Sequence, residues 1–254
     1  MKDTHKQIER QRYDRKAEPF LERNATPELG AAGVPVELRP PYEEFERRIG
    51  ALVKPRDVVL DIGAGMGAFS TSARGEGRFL IAADISPVSL RVARQRAAEA
   101  GVTVCAVCAD AERLPFRDRS VDLVTAAGAL YCLDLDAVSR EMRRVLRPDG
   151  AWVIVDSLDD SPVYRLNRFI GYMRHRRTAL ALRNMPRWSA IEGLREGFGN
   201  VVIAYHGVLA FLLPILKPLL GAARAGDVVR AADRGLRWLR RWAFKVVVVA
   251  QHPR

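Results

Sequence analysis

The chain has 254 residues and a formal net charge of +11, and 48% of its residues are hydrophobic while 28% are charged. These proportions are typical of a globular domain with a sizeable core, and they exclude a disordered or fibrous chain. The positive excess predicts an anionic partner, such as a phosphate, a carboxylate, a nucleic acid or a membrane surface.

The cysteines and the N-terminus indicate a cytoplasmic protein. Cys105, Cys108 and Cys132 are odd in number, which argues against a disulfide framework and for a reducing compartment. Residues 1–20 carry charges throughout and lack the apolar core of a secretion signal. The longest apolar run, residues 207–221, is too short to span a bilayer, although it could lie on one.

The first part of the chain predicts helices, and the middle part predicts strands that alternate with helices. Residues 1–24 form an exposed, charged helix, and residues 41–53 have apolar side chains at helical spacing. Short β-branched runs then predict strands, which enclose helical patterns at 86–101 and 134–150. This rhythm is typical of βαβ units and a parallel sheet. The predicted strands cover residues 57–63, 78–86, 102–110, 121–130 and 151–157.

After Asp156 the pattern is less regular. Residues 161–199 predict two or three helices, and residues 200–207 and 244–252 predict the last two strands. Between these strands lies a long helical insertion, residues 207–243, which exceeds the usual length of a connection and therefore suggests a functional role.

The segment DIGAGMG, residues 61–67, follows the first predicted strand and has three glycines in five positions. Glycine allows a tight turn and lets a ligand approach the backbone N–H groups, although such turns also occur without a ligand. The spacing is GxGxG and not the GxGxxG of dinucleotide folds. Asp61 would repel a pyrophosphate and attract a cationic ligand with an amino group.

Four motifs, in order and at the expected spacing, resemble class I S-adenosylmethionine-dependent methyltransferases of the small-molecule type. They are VLDIGAGMG, LIAADIS, CADAERLPFRDRSVDLV and EMRRVLRPDGAWVIVDS, and the resemblance covers residues 40–158. The resemblance implies an α/β fold: a Rossmann-like, doubly wound, mostly parallel sheet of seven strands, the last inserted antiparallel, with helical cap insertions. It also implies S-adenosyl-L-methionine as the cofactor and no metal.

The resemblance assigns cofactor-binding roles to particular positions. Gly63, Ala64 and Gly65 match the loop under the methionine part, with Asp61 as the acid at its start. Asp84 matches the acid that accepts hydrogen bonds from both ribose hydroxyls, and a carboxylate is a good acceptor for a diol. The positions assigned to the adenine, or to the cofactor side of the fourth strand, are Ile85, Asp110, Ala111 and Ala127.

The acceptor side is less well specified. The fourth strand leads into AAGALYCLD, residues 126–134, and lacks the Asp/Asn-Pro-Pro-Tyr of methylases that act on DNA bases or protein amides, so O-, C- or ring-N acceptors stay open. His206 and Tyr131 are candidate catalytic residues, although a lone histidine is often structural. Tyr13 and Arg39 precede the core; in related enzymes such segments close over the cofactor, and Arg39 could pair with its carboxylate.

Two further features of the sequence are a pair of cysteines and a basic C-terminal part. Cys105 and Cys108 form a CxxC, but positions three apart on a strand point to opposite faces, so we interpret them as buried small apolar residues. Residues 161–245 carry sixteen basic and four acidic side chains, enough to account for the net charge of the chain. A surface that lies on a membrane is indicated by the arginines and tryptophans of 174–177 and 237–245, together with the apolar residues 208–220. The alternative is a basic face that is exposed to solvent.

The combined interpretation is a methyltransferase that acts on a small, lipid-linked or sugar-linked acceptor, by O- or C-methylation. We divide it into an N-terminal segment that closes over the cofactor site (1–40), a Rossmann-like core (41–158) and a C-terminal part with the cap, the insertion and the last two strands (159–254). One alternative is an RNA-directed methylase, although no RNA-binding module is visible. Another is a non-catalytic module that binds a membrane surface or a partner.

Overall fold

The computed structural model describes residues 2–23, 28–173 and 184–254, and its centre is a seven-stranded sheet. The strands are β1 (Val58–Ile62), β2 (Phe79–Asp84), β3 (Val104–Cys108), β4 (Val121–Ala127), β5 (Leu146–Ser157), β6 (Phe198–His206) and β7 (Lys245–Pro253). The described helices are α1 (Lys2–Arg23), α2 (Pro40–Leu52), α3 (Pro87–Glu99), α4 (Leu135–Val145), α5 (Pro162–Met173), α6 (Trp188–Gly197), α7 (Leu213–Leu220) and α8 (Ala222–Gly235).

The strand order is β3-β2-β1-β4-β5-β7-β6. The first five strands are parallel, while β7 is antiparallel to both of its neighbours, β5 and β6. The expected Rossmann-like fold with one inserted antiparallel strand is therefore confirmed. Lys245, the first residue of β7, pairs with Ser157 at the end of β5 and with His206 at the end of β6. The connections from β5 and β6 to the C-terminal helices therefore leave from the carboxyl edge of the parallel strands.

Apolar side chains cover both faces of the sheet. One layer lies under α4 and α6 and includes Trp152 and Phe198, and the other lies under α2 and α3 and includes Phe45 and Ile49. Strands of a parallel sheet are buried on both faces, which is why β4 and β5 are nearly continuous apolar runs.

The connection between β1 and β2 differs from a regular βαβ unit. Residues 63–74 form consecutive turns instead of a helix. Three glycines with positive φ and the run Ser70-Thr71-Ser72 explain this, because both residue types favour turns over helix.

Two expectations about burial were wrong. The N-terminal helix is not simply exposed: Ala17 and Glu9 are buried, and α1 packs on α3. Cys105 and Cys108 are exposed, because β3 is an edge strand with nothing beyond it in the sheet. The basic tetrad at 174–177, and part of the helical stretch predicted for 161–199, lie outside the described residues.

Candidate functional site

A cavity of about 250 Å³ opens at the carboxyl ends of β1, β2 and β4. Strand β2 lies on one side of β1 and strand β4 on the other, so the strand order reverses at β1. In open α/β sheets such a switch point leaves a crevice in which ligands bind. Nine of the eleven predicted site residues line this cavity: Gly63, Ala64, Gly65, Asp84, Ile85, Asp110, Ala111, Ala127 and Tyr131.

The glycine loop forms the floor of the cavity. Gly63, Gly65 and Gly67 have φ values of +59°, +52° and +74°, in the left-handed region that side chains disfavour. A Cβ on Gly63 would lie 2.5 Å from the Cβ of Ala129, and one on Gly67 would lie 2.7 Å from that of Ala93. A Cβ on Gly65 would meet no protein atom within 4 Å. The outer glycines are therefore required by packing, whereas Gly65 keeps open the space beside the cavity.

Asp84 joins this loop to the end of β2. Its Oδ2 accepts a hydrogen bond from the Gly65 N–H at 2.8 Å, and its Oδ1 accepts one from the Ser86 N–H at 2.8 Å. Burial raises the pKa of Asp84, although the N–H groups of Ser86 and Gly65 oppose the shift. The carboxylate is thus held in one orientation beside the cavity, where its second lone pairs remain available to a hydroxyl donor.

Asp61 does not line the cavity. It is buried beneath the loop, where it accepts hydrogen bonds from Ser70 Oγ at 2.6 Å and from Thr125 Oγ1 at 3.1 Å. Burial raises its pKa from 3.8 to about 6. Its role in this geometry is to tie the loop to β4.

The stability of the protein is expected to fall as the pH rises from about 4 to about 6, in part because of Asp61. Its pKa in the folded state exceeds the unfolded value, so the folded state binds the proton more tightly within that window. The shift corresponds to a loss on the order of 3 kcal/mol of unfolding free energy. Asp61→Asn should reduce this pH dependence, measured by urea unfolding at both ends of the window. The exposed Asp149→Asn is the control, and equal pH dependence in all three proteins would contradict the assignment.

Helix α1 supplies one wall of the cavity through Lys6, Glu9, Tyr13 and Lys16. Lys6 Nζ lies 2.5 Å from Asp110 Oδ2 and 2.8 Å from Glu112 Oε2, so an ion pair holds α1 against the segment after β3. Of the four residues, sequence reasoning singled out only Tyr13. The spacing 6, 9, 13 and 16 is that of one helical face, which is the signal that would have identified the others.

Tyr131 lies at the end of the cavity beside α1. Its hydroxyl is hydrogen-bonded to that of Tyr13, and Cys132 lines the same region. Burial raises the pKa values of the Tyr13 hydroxyl and the Cys132 thiol well above their usual ranges, so both groups are protonated at neutral pH. This end of the cavity therefore presents two hydroxyl groups and a thiol, beside the Glu9 carboxylate that accepts a hydrogen bond from the Cys132 thiol.

The structure does not bring His206 into this site. His206 ends β6, four strand positions from β1 and therefore about 19 Å away at the usual strand spacing. It lines a separate cavity of about 20 Å³ with Glu37, Asp233 and Lys245. Burial lowers its pKa, so its imidazole is less readily protonated than an exposed one. The two candidate catalytic residues, His206 and Tyr131, therefore lie apart in this geometry, because the lateral strand order separates them.

Arg39 is also engaged elsewhere. Its guanidinium donates to the backbone carbonyls of Val34 and Ala32, at 3.0 to 3.2 Å, and it does not line the cavity. Within the described ranges, no cluster of three or more His, Cys, Asp or Glu side chains has the geometry of a metal site. Within the same ranges, none of the helices combines the length and apolarity needed to cross a bilayer.

Comparison with known proteins relates this core to methyl transfer. A family model described as "Methyltransferase domain" matches residues 60–154. The chain is 40% identical over 111 residues to a ubiquinone/menaquinone biosynthesis C-methyltransferase of Cupriavidus metallidurans, covering 42% of this chain and 45% of the relative. It is 37% identical over 116 residues to a demethylmenaquinone methyltransferase of Mycobacterium marinum, covering 45% of this chain and 48% of the relative. The matched part thus spans less than half the length of these relatives.

Solved structures share the fold over a larger part of the chain. A geranyl diphosphate C-methyltransferase of Streptomyces coelicolor, in complex with S-adenosylhomocysteine, superposes with a TM-score of 0.59 at 15% identity, covering 85% of this chain and 77% of that one. A phosphoethanolamine N-methyltransferase of Haemonchus contortus gives a TM-score of 0.54 at 18% identity, covering 82% of this chain and 53% of that one. At these identities the likeness extends to the fold alone.

Proposed function

We propose that this chain is a class I S-adenosylmethionine-dependent methyltransferase that acts on a small-molecule acceptor, since a methyltransferase family model matches residues 60–154. The observation that carries the proposal is the pairing of Gly65 with Asp84 at the switch point of the sheet. At this point a turn without a side chain leaves room for an amino-acid part, and an oriented carboxylate can bind a ribose. Together they suit a nucleoside that is linked to an amino acid.

The residues present fit S-adenosylmethionine. The Asp84 carboxylate would accept hydrogen bonds from the ribose hydroxyls, and the open face of Gly65 leaves room for the methionine part. Ile85, Asp110 and Ala111 would hold the adenine. When bound, the cofactor supplies a methyl group that is already activated on a sulfonium. The protein then has to align the acceptor and, where required, remove a proton.

We assign the acceptor side to Tyr131. Tyr131 lines the cavity, and its hydroxyl is hydrogen-bonded to that of Tyr13. A hydroxyl held there can orient an acceptor by donating a hydrogen bond to it. Since His206 lies outside the cavity, it has no part in this arrangement.

Tyr131→Phe is expected to lower kcat by about a hundredfold, because it removes the hydroxyl that orients the acceptor. The binding of S-adenosylhomocysteine should not change. The assay is methyl uptake from labelled S-adenosylmethionine, with whichever acceptor a screen identifies. Tyr205→Phe, which loses a hydroxyl bonded to Glu192 outside the cavity, is the control. An unchanged kcat in Tyr131→Phe would exclude this residue from the reaction.

We propose carbon methylation of an apolar acceptor over the other chemistries. The named relatives are C-methyltransferases of quinone biosynthesis or a demethylmenaquinone methyltransferase. Ala129 and Leu133, two residues before and after Tyr131, add apolar surface to the cavity. An acceptor linked to a lipid or a glycan, or one that carries negative charge, belongs to the same proposal. Ile215 and Leu219 are exposed on α7, which supports peripheral contact of residues 208–220 with the inner face of a membrane.

The three parts of the chain divide the work in this proposal. Residues 1–40 cover the cofactor site, and residues 41–158 hold the cofactor. Residues 159–254 are assigned to the acceptor side. The connections from β5 to α5 and from β6 to α7 both leave from the carboxyl edge of the sheet, which supports this assignment. The contribution of α1 to the cavity wall supports the first assignment.

Calorimetric titration with S-adenosylhomocysteine tests the proposal. We expect saturable binding with one site per chain. An absence of binding by folded protein would contradict the methyltransferase proposal and favour a non-catalytic module. Binding of RNA that weakens steeply with salt would instead favour an RNA acceptor.

A further inference from the structure

The exposed apolar side chains of this protein are concentrated in its C-terminal helices. Sixteen large hydrophobic residues are exposed in the part of the chain that the structure describes, and twelve of them lie on four helical elements between residues 162 and 242. Six are on α5, while α7, α8 and the 3₁₀ helix Arg237–Trp242 carry the other six. Soluble proteins seldom expose contiguous apolar surface, so this concentration indicates contact with an apolar phase or a partner.

Helix α5 presents its apolar side chains away from the protein. Tyr164 and Arg168 are buried and face the fold. Val163, Leu166, Ile170 and Met173 follow at spacings of three and four, which places them on the opposite side of the helix, and Phe169 lies beside them. These side chains are 40% to 62% exposed. The polarity of α5 is thus the reverse of that expected for a helix on a protein surface.

The described helices of the C-terminal cap pack on the other side of α5. Tyr164 packs with Ala210, Leu213, Ala225 and Val229 into a small core that joins α5 to α7 and α8. Because this core forms on the Tyr164 side of α5, the apolar stripe points away from the helices that α5 packs against.

The exposed charge of the C-terminal helices is strongly positive. On α5, α7, α8 and the 3₁₀ helix, all of which the structure describes, exposed basic residues outnumber exposed carboxylates. The one exposed carboxylate on these four elements is that of Asp227, which is paired with Arg230. Exposed Trp238 and Trp242 accompany the arginines of the 3₁₀ helix. The exposed basic residues are Arg165, Lys217, Arg224, Arg230, Arg234, Arg237, Arg240 and Arg241.

We propose that α5 is the element that docks this protein on an anionic lipid bilayer, with its apolar stripe buried at the level of the headgroups. A helix with an outward apolar stripe, in a C-terminal part that also exposes arginines and tryptophans, has the composition of an interfacial membrane anchor. Such a partner satisfies the apolar stripe and the positive charge together. A nucleic acid would satisfy only the charge, and an apolar protein groove only the stripe.

The docking position has a consequence for the acceptor, which rests on the proposed function. Helix α5 follows β5 directly at the carboxyl edge of the sheet, and the cofactor cavity opens at the same edge. An acceptor that resides in the bilayer would therefore approach the protein on the side where methyl transfer takes place.

Flotation of the full chain with lipid vesicles tests the docking surface. We expect the wild type to float with vesicles of phosphatidylglycerol mixed with phosphatidylcholine, and less with phosphatidylcholine alone. Leu166→Gln/Ile170→Gln should lower the bound fraction about tenfold, because both side chains belong to the stripe. Ile215→Gln/Leu219→Gln on α7 should have a smaller effect. Phe79→Gln, an equally exposed apolar residue at the amino edge of the sheet, is the matched control and should float as the wild type does.

Three results would overturn the proposal. They are a wild type that does not float, an α5 double variant that floats as well as the wild type, and an α5 double variant whose melting temperature falls in lipid-free buffer. The last result would show that the stripe is covered within the protein. Because flotation requires neither cofactor nor acceptor, its outcome is separate from that of the titration with S-adenosylhomocysteine.

Discussion

Asp84→Ala is expected to weaken the binding of S-adenosylhomocysteine by at least about tenfold, and by up to about a hundredfold for each hydrogen bond lost. The carboxylate is positioned by the N–H groups of Gly65 and Ser86, so it meets the ribose hydroxyls without having to reorient. Its removal also leaves the Gly65 N–H without its carboxylate acceptor. Calorimetric titration of both proteins measures the difference.

Two variants separate the ribose contact from general effects. Asp84→Asn keeps the shape and one acceptor oxygen but loses the charge, and we expect its affinity to lie between those of the wild type and Asp84→Ala. Asp149→Ala removes an exposed carboxylate at the amino edge of the sheet and should bind as the wild type does. Wild-type affinity in Asp84→Ala, with the fold intact, would show that the end of β2 does not hold the ribose.

Gly67→Ala is expected to destabilise the fold, whereas Gly65→Ala is expected to impair binding. At Gly67 the new Cβ would lie 2.7 Å from the Cβ of Ala93 and 2.9 Å from its Cα, at a φ of +74°. The disfavoured φ and the clash with α3 together cost about 2–5 kcal/mol of unfolding free energy. At Gly65 the Cβ meets no protein atom, so the cost is about 1–2 kcal/mol from φ alone, but the methyl group occupies space beside the cavity.

Gly101→Ala is the control for this pair. Gly101 also has a positive φ, +69°, and open space around it, but it does not line the cavity. Its variant should lose about as much stability as Gly65→Ala and keep full affinity for S-adenosylhomocysteine. Urea unfolding gives the stabilities and calorimetry the affinities. If Gly65→Ala and Gly101→Ala bound equally well, the loop would have only an architectural role.

The sequence by itself determined the features that depend on neighbours along the chain. The alternation of β-branched runs with helical patterns predicts the parallel sheet, because the two periods differ and each is local. The placement of Gly63, Gly65 and Asp84 at strand ends predicts a shared edge, since parallel strands all end on one side. The resemblance added the antiparallel strand, which the order β5-β7-β6 confirms.

Only the tertiary structure decided which distant segments meet. The lateral order of the strands puts β6, and His206 with it, at one end of the sheet, and puts β3 with its two cysteines at the other. The packing of α1 on α3 brings Lys6 to Asp110 and Tyr13 to Tyr131 across more than a hundred residues of chain. The apolar residues of α5 have the spacing of a stripe that could face a core. In the fold, Tyr164 and Arg168 are the residues of α5 that are buried, so the apolar stripe faces outward. These outcomes depend on non-local packing, which no local pattern of residues encodes.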